Sequence, residues 1–195
     1  ADIAEGRVNC VAEINYRKLV KSVGEFLENL FGEKGAYRYM HDVLTPQSDS
    51  FQIIPFEVKK DSIITKRYRD FSLRLITVHH GIVPALALRI DIDDKSIVIS
   101  GDTNDEDKNL EKIAENADLF IVHHAIPEHA GEVAKTLHMR PSEIAYVAKK
   151  AGDKKMVLKH RMNRTLNKEE ESMKIINGIY SGKILFAEDR MRIRL

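Results

Sequence analysis

Two hydrophobic periodicities divide the chain. From Tyr16 to Phe31, apolar residues at Leu19, Val20, Val23, Phe26, Leu27 and Leu30 recur at the spacing of one helical face, and Gly32 supplies a stop. Tyr37 to Val43 reads as a second short helical piece ahead of Thr45-Pro46. From Phe51 the texture changes to short apolar runs, the pattern of strands. Strands are predicted over Phe51–Val58, Ser62–Thr65, Phe71–Val78, Ala85–Ile92 and Ser96–Ser100, with Asp93-Asp94-Lys95 as a hairpin turn. Helices and strands then alternate. A helix over Asp105–Asn116 precedes a buried strand over Leu119–Val122. A helix over Pro141–Ala151, with Gly152 just past its end, precedes a strand over Met156–Leu158. A charged amphipathic helix over Lys168–Ile179 is closed by Gly182, and strands over Ile184–Ala187 and Met191–Leu195 finish the chain. A meander followed by strands alternating with helices predicts a layered α/β or α+β fold, a mixed sheet with helices packed outside it. No repeat or low-complexity linker interrupts the pattern, so residues 1–195 are expected to form a single domain.

Composition narrows the setting. A net charge of +1 gives no broad nucleic-acid-binding surface, although a local basic patch stays compatible with it. The one cysteine, Cys10, excludes an internal disulfide and fits a reducing compartment. No apolar run approaches the roughly 20 residues of a membrane span, and no signal-peptide pattern opens the chain. The expectation is a soluble, cytoplasmic protein without a membrane partner.

Chemistry-bearing residues collect at predicted strand ends. Ser100-Gly101-Asp102-Thr103 follows an apolar strand, His79-His80-Gly81 follows another, and His160 follows Met156-Val157-Leu158. Loops leaving strand ends can bring distant residues to one point, and imidazole with carboxylate suits zinc, manganese or iron. Asp102 fits either of two roles, metal ligand or cap of the helix that follows. His80 and His79 point to opposite faces by alternation, and His80 lies nearer the loop. His123-His124 close the strand after Leu119, and His138 precedes the helix opening at Pro141, where it could move a proton. Arg161 and Arg164 follow His160. They fit a grip on phosphate or carboxylate, or equally a solvated face.

In order, His80-Gly81-Ile82-Val83-Pro84-Ala85-Leu86-Ala87-Leu88-Arg89-Ile90, Ser100-Gly101-Asp102-Thr103, Ala117-Asp118-Leu119-Phe120-Ile121-Val122-His123-His124, Leu137-His138-Met139-Arg140-Pro141-Ser142-Glu143-Ile144 and Val157-Leu158-Lys159-His160-Arg161-Met162-Asn163-Arg164-Thr165 resemble the metallo-β-lactamase superfamily, in particular its ribonuclease Z-like branch. The resemblance covers about residues 50 to 195. It implies an αββα sandwich and a centre of two divalent metal ions, zinc first, with manganese or iron as alternatives. It also implies that His80 binds the first metal, that Asp102 bridges both and that His160 binds the second. By the same resemblance His138 assists proton transfer near the scissile bond, and Arg164 binds a substrate phosphate. His124 stands where that branch has a glutamate.

The family signature His-x-His-x-Asp-His, which supplies the other half of both metal shells, occurs nowhere in these 195 residues. The domain is therefore expected to be incomplete at its N-terminus and to lack the first strands of the sandwich, as the C-terminal part or a fragment of a longer protein; a naturally truncated paralogue comes second. Ribonuclease Z proper also carries a long tRNA-gripping arm between the counterparts of His80 and Asp102. Only a short hairpin fits here, which argues against dedicated tRNA 3′ processing. The expected activity is hydrolysis of a phosphodiester or related ester, with a small anionic ester or a nucleic acid as substrate. A lactonase-type hydrolase and a non-catalytic binding or assembly module are the rivals. An uncovered sheet edge would favour a homo-oligomer, a dimer in the simplest case.

Overall fold

In the computed structural model residues 58–195 are described. The expected helical segments at Tyr16–Phe31 and Tyr37–Val43, nearly all of the strand expected over Phe51–Val58, and Cys10 lie outside the described residues. Seven strands follow one another across a single sheet in chain order: β1 (Ile64–Arg67), β2 (Ser72–Val78), β3 (Ala85–Ile92), β4 (Lys95–Ile99), β5 (Leu119–His123), β6 (Lys155–Lys159) and β7 (Lys183–Phe186). The pairs from β1 to β4 are antiparallel, joined by short turns, whereas β4 to β7 are parallel.

Parallel neighbours need crossovers, and helices supply them. They are α1 (Asn109–Ala114), α2 (Glu132–Lys135) with α3 (Pro141–Ala151), and α4 (Glu169–Asn177). Successive crossovers of one hand between strands advancing in one direction lie on the same face of the sheet. The core follows that rule: Val98, Phe120 and Met156, brought abreast by the strand register, pack against Leu110, Ile113, Ile144, Ala148 and Ile176 from the helices. The side chains one residue out of step, Leu75, Leu88, Ile99, Ile121, Val157 and Leu185, form an apolar row across the other face.

Two elements depart from the sequence pattern. The helix expected from Asp105 begins only at Asn109. Asp105 and Lys108 have left-handed backbones, and the Asp105 carboxylate accepts from the Leu110 N–H, so this side chain caps a later start. Met191–Leu195 alternates like a strand, but no neighbouring strand pairs with it among the described residues. Arg190 turns with φ +64, and the Met191 N–H returns to the Glu188 carbonyl.

The topology fixes where chemistry can gather. Because β2 and β4 run the same way as β5, β6 and β7, their C-terminal ends share one edge of the sheet. His80, Asp102, His123 and His160 all lie at or just past those ends. Open sheets place ligands at such an edge.

Candidate metal centre

The Asp102 turn is built by its neighbours. Gly101 has φ +63, and a Cβ there would lie 2.2 Å from the Leu86 carbonyl oxygen, so only glycine lets the chain pass so close to β3. The buried Ser100 hydroxyl donates to the Gly101 carbonyl (2.6 Å) and accepts from the His123 N–H (3.2 Å), tying the ends of β4 and β5 together. The Asn104 N–H reaches the His79 carbonyl at 3.0 Å. The His79 Nδ1–H returns a bond to the Asn104 side-chain oxygen at 2.8 Å, locking the loop to β2. His79 thus holds the frame while its neighbour His80 faces the centre.

Asp102 stands amid four imidazoles. Its Oδ1 is hydrogen-bonded by His123 Nδ1 and lies 3.7 Å from both His138 Nδ1 and His160 Nε2. Its Oδ2 lies 4.0 Å from His80 Nε2. The rings crowd one another, with centroids 4.9 Å apart for His80 and His138 and 4.8 Å apart for His123 and His160. His138 is carried in by the link after α2: its N–H donates to Ala134 (3.0 Å), and the next N–H, of Met139, donates to Thr103 (3.0 Å). His160 holds its place with a left-handed backbone, φ +55, an unfavourable conformation for a residue with a Cβ.

Tautomers and charge follow from these partners. The Leu137 carbonyl can only accept, so at 2.7 Å it takes the proton of His80 Nδ1 and leaves Nε2 as the nitrogen turned toward Asp102. This backing of the outer ring nitrogen is how ligand histidines are oriented in metal sites. Burial favours the neutral Asp102 carboxyl. The hydrogen bond from His123, with the charges of His123, His160 and His138, overcomes burial and holds the group well below the usual carboxylate range. Burial pushes His123 down despite Asp102, so at neutral pH it serves as a neutral N–H donor to that carboxylate. Burial likewise pushes His138 down to about 4, and its buried Nδ1 has no hydrogen-bond partner among the described residues. An anionic carboxylate ringed by the nitrogens of four imidazoles is a donor set that fits a divalent cation. The candidate ligand atoms of Asp102, His123 and His160 all lie within 4.8 Å of one another.

The structure therefore gathers His80, Asp102, His138 and His160 and adds His123, which the sequence reading did not select. Side chains alternate along β5. His123 joins Ile121 on the face of the site, whereas His124 joins Val122 on the helix face. There His124 is fully buried, with Nε2 2.9 Å from the Ser172 hydroxyl of α4 and its ring against Phe186. Alternation separates His123 from His124 as it separates His79 from His80, and the packing of α4 decides which of the two faces the site. Of the two arginines, Arg161 is engaged by Glu169 (2.9 Å) and the Ala187 carbonyl (3.1 Å). Arg164 is exposed, with its guanidinium 3.2 Å from the Met162 sulfur, and its charge helps depress His138.

Solved structures share this architecture. The chain is similar to the metallo-β-lactamase fold protein YhfI from Bacillus subtilis, with a TM-score of 0.60 and 22% identity, over 78% of this chain and 60% of that one. It is similar to the isothiocyanate hydrolase from Delia radicum gut bacteria, with a TM-score of 0.53 and 18% identity, over 76% and 61% of the two chains. It is also similar to Zn(2+)-bound PqqB from Methylobacterium extorquens, with a TM-score of 0.53 and 10% identity, over 72% and 55%. No family model matches the chain, and no curated protein matches it in sequence. The fold is metallo-β-lactamase-like, a mixed seven-stranded α/β sheet, and the chain spans roughly three-fifths of the length of those proteins. Identities this low show the fold and not a branch within it.

Proposed function

We propose that the protein is a metal-dependent hydrolase of a phosphodiester or related anionic ester, of the ribonuclease Z-like kind, with zinc as the preferred ion. The observation that carries this reading is Asp102, whose two carboxylate oxygens face different imidazoles: His80 on one side, and His123, His138 and His160 on the other. His80, Asp102 and His160 would hold metal. A divalent ion there supplies Lewis acidity and makes water ionise near neutral pH.

The remaining roles belong to the chain. His138, neutral and without a partner at Nδ1, takes up a proton and returns it to the leaving oxygen, while the Asp102 carboxylate 3.7 Å away stabilises the charged ring. Arg164, exposed and unlike Arg161 not held by a carboxylate among the described residues, receives an anionic substrate oxygen.

The test compares bis-p-nitrophenyl phosphate with a lactone panel, using the protein loaded with zinc or manganese. Phosphodiester turnover that falls at least about 100-fold in His138→Ala is the expected outcome. Turnover of lactones alone would replace the substrate class. Retained metal with no turnover of either class would favour a binding module.

A further inference from the structure

The two sides of the Asp102 carboxylate are unequal. On the Oδ2 side the imidazole of His80 makes its nearest approach, with Nε2 at 4.0 Å. On the Oδ1 side stand His123 Nδ1, in hydrogen-bond contact, and His160 Nε2 and His138 Nδ1, each at 3.7 Å, but only His123 and His160 cluster with Asp102 within 4.8 Å. Neighbouring ligands around a tetrahedral zinc are about 3.4 Å apart for bonds of about 2.1 Å. The Oδ1 side brings three donor atoms, from Asp102, His123 and His160, within 4.8 Å of one another. A catalytic zinc commonly takes three protein ligands and a water. The Oδ1 side can supply three and the Oδ2 side two.

We propose that His123 is a metal ligand, and that the first divalent ion taken up by this chain binds between Asp102 Oδ1, His123 Nδ1 and His160 Nε2, with the His80 side filling only at much higher metal concentration. The inference rests on the proposed metal dependence and adds the ligand set and the order of filling. In the metal-free state His123 keeps its ring proton on Nδ1, bonded to Asp102. On binding, that proton moves to Nε2, and the Nδ1 lone pair replaces the hydrogen bond with a metal bond. No net proton is released by this residue. His138, which is not in the cluster of Asp102, His123 and His160, stays outside the ligand set and keeps Nδ1 for proton transfer.

Two readouts on the full 195-residue chain test this, neither depending on turnover. Chelator-treated protein is titrated with zinc by calorimetry. One tight ion per chain is expected, and it is retained in His80→Ala. In His123→Gln its affinity should fall beyond the roughly 10–100-fold that follows loss of an outer-shell partner. The Gln amide can still donate to Asp102, so a purely positioning His123 would be rescued by this variant; circular dichroism establishes that it is folded. The second readout is the proton NMR spectrum of the cobalt(II) form. Two exchangeable, hyperfine-shifted imidazole N–H signals, from His123 and His160, should become one in His123→Gln.

Wild-type affinity in His123→Gln, or loss of the first ion in His80→Ala, would overturn the ligand assignment and leave the hydrolase reading intact. A wild-type chain that takes up no ion would overturn both.

Discussion

One sheet carries two clusters of charged and polar side chains, and they are finished differently. Toward the β3–β4 hairpin, Asp91 receives Arg89 on Oδ1 (2.7 Å) and Arg74 on Oδ2 (2.9 and 3.1 Å). Arg89, nearly buried, also donates to the Ile113 and Glu115 carbonyls at 3.3 and 2.6 Å. Cation meets anion, and the guanidinium joins the sheet to the end of α1. At the opposite edge Asp102 is met by imidazoles and no guanidinium or ammonium among the described residues, with a buried nitrogen left over on His138 and a strained backbone at His160. A polar cluster that satisfies itself is structural, whereas one left waiting for a charge is a site.

The largest expected effect breaks the frame of the site. Gly101→Ala forces a Cβ against the Leu86 carbonyl at a positive φ and should cost about 4 kcal/mol in chemical denaturation. Gly131→Ala meets nothing within 4 Å and should cost less than about 1 kcal/mol. Equal losses in the two variants would contradict this account of the turn.

Next comes the finished cluster. Arg89→Ala strips one cation from Asp91 and leaves two carbonyls short of a donor. A loss of about 2–3 kcal/mol is expected, below the range for fully buried pairs because Arg74 remains and Asp91 is partly exposed. Metal uptake should be unchanged. A variant of normal stability but altered metal affinity would erase the distinction between the clusters.

The smallest effect sharpens the comparison. Asp153 is buried, and among the described residues one of its oxygens lacks a partner and no imidazole surrounds it. Burial pushes its carboxyl up to about 7, against the Ala117 N–H and the charge of Arg89. The folded chain then keeps a proton that the unfolded chain releases near pH 4, so stability falls as pH rises from about 4 to about 7. Asp153→Asn should remove on the order of 2 kcal/mol of that decline between pH 5 and pH 8. An unchanged pH profile would show that this carboxyl ionises as it does in the unfolded chain.

Much of this was legible in the sequence. Ala85–Ile92 and Pro141–Ala151 coincide with their predicted bounds, because alternation on a half-buried strand and the pairing of an opening proline with a closing glycine are local signals. His80, Asp102 and His160 could be placed at strand ends for the same reason. What escaped depends on partners distant in the chain. The choice between His123 and His124 turns on which face of β5 meets α4. The late start of α1 turns on a carboxylate capping five residues ahead. Met191–Leu195 has the alternation of a strand but no neighbour to pair with among the described residues. Helix α2, only four residues long, carries no periodicity to read.

The central claim is that Asp102 organises a metal site at the C-terminal edge of this sheet. The most direct measurement is elemental analysis of wild type and Asp102→Asn after dialysis against zinc and then against metal-free buffer, with melting curves to match folding. Stoichiometric zinc in the wild type and its loss in a folded Asp102→Asn variant is the expected result. Equal zinc in both proteins, or none in the wild type, would contradict it.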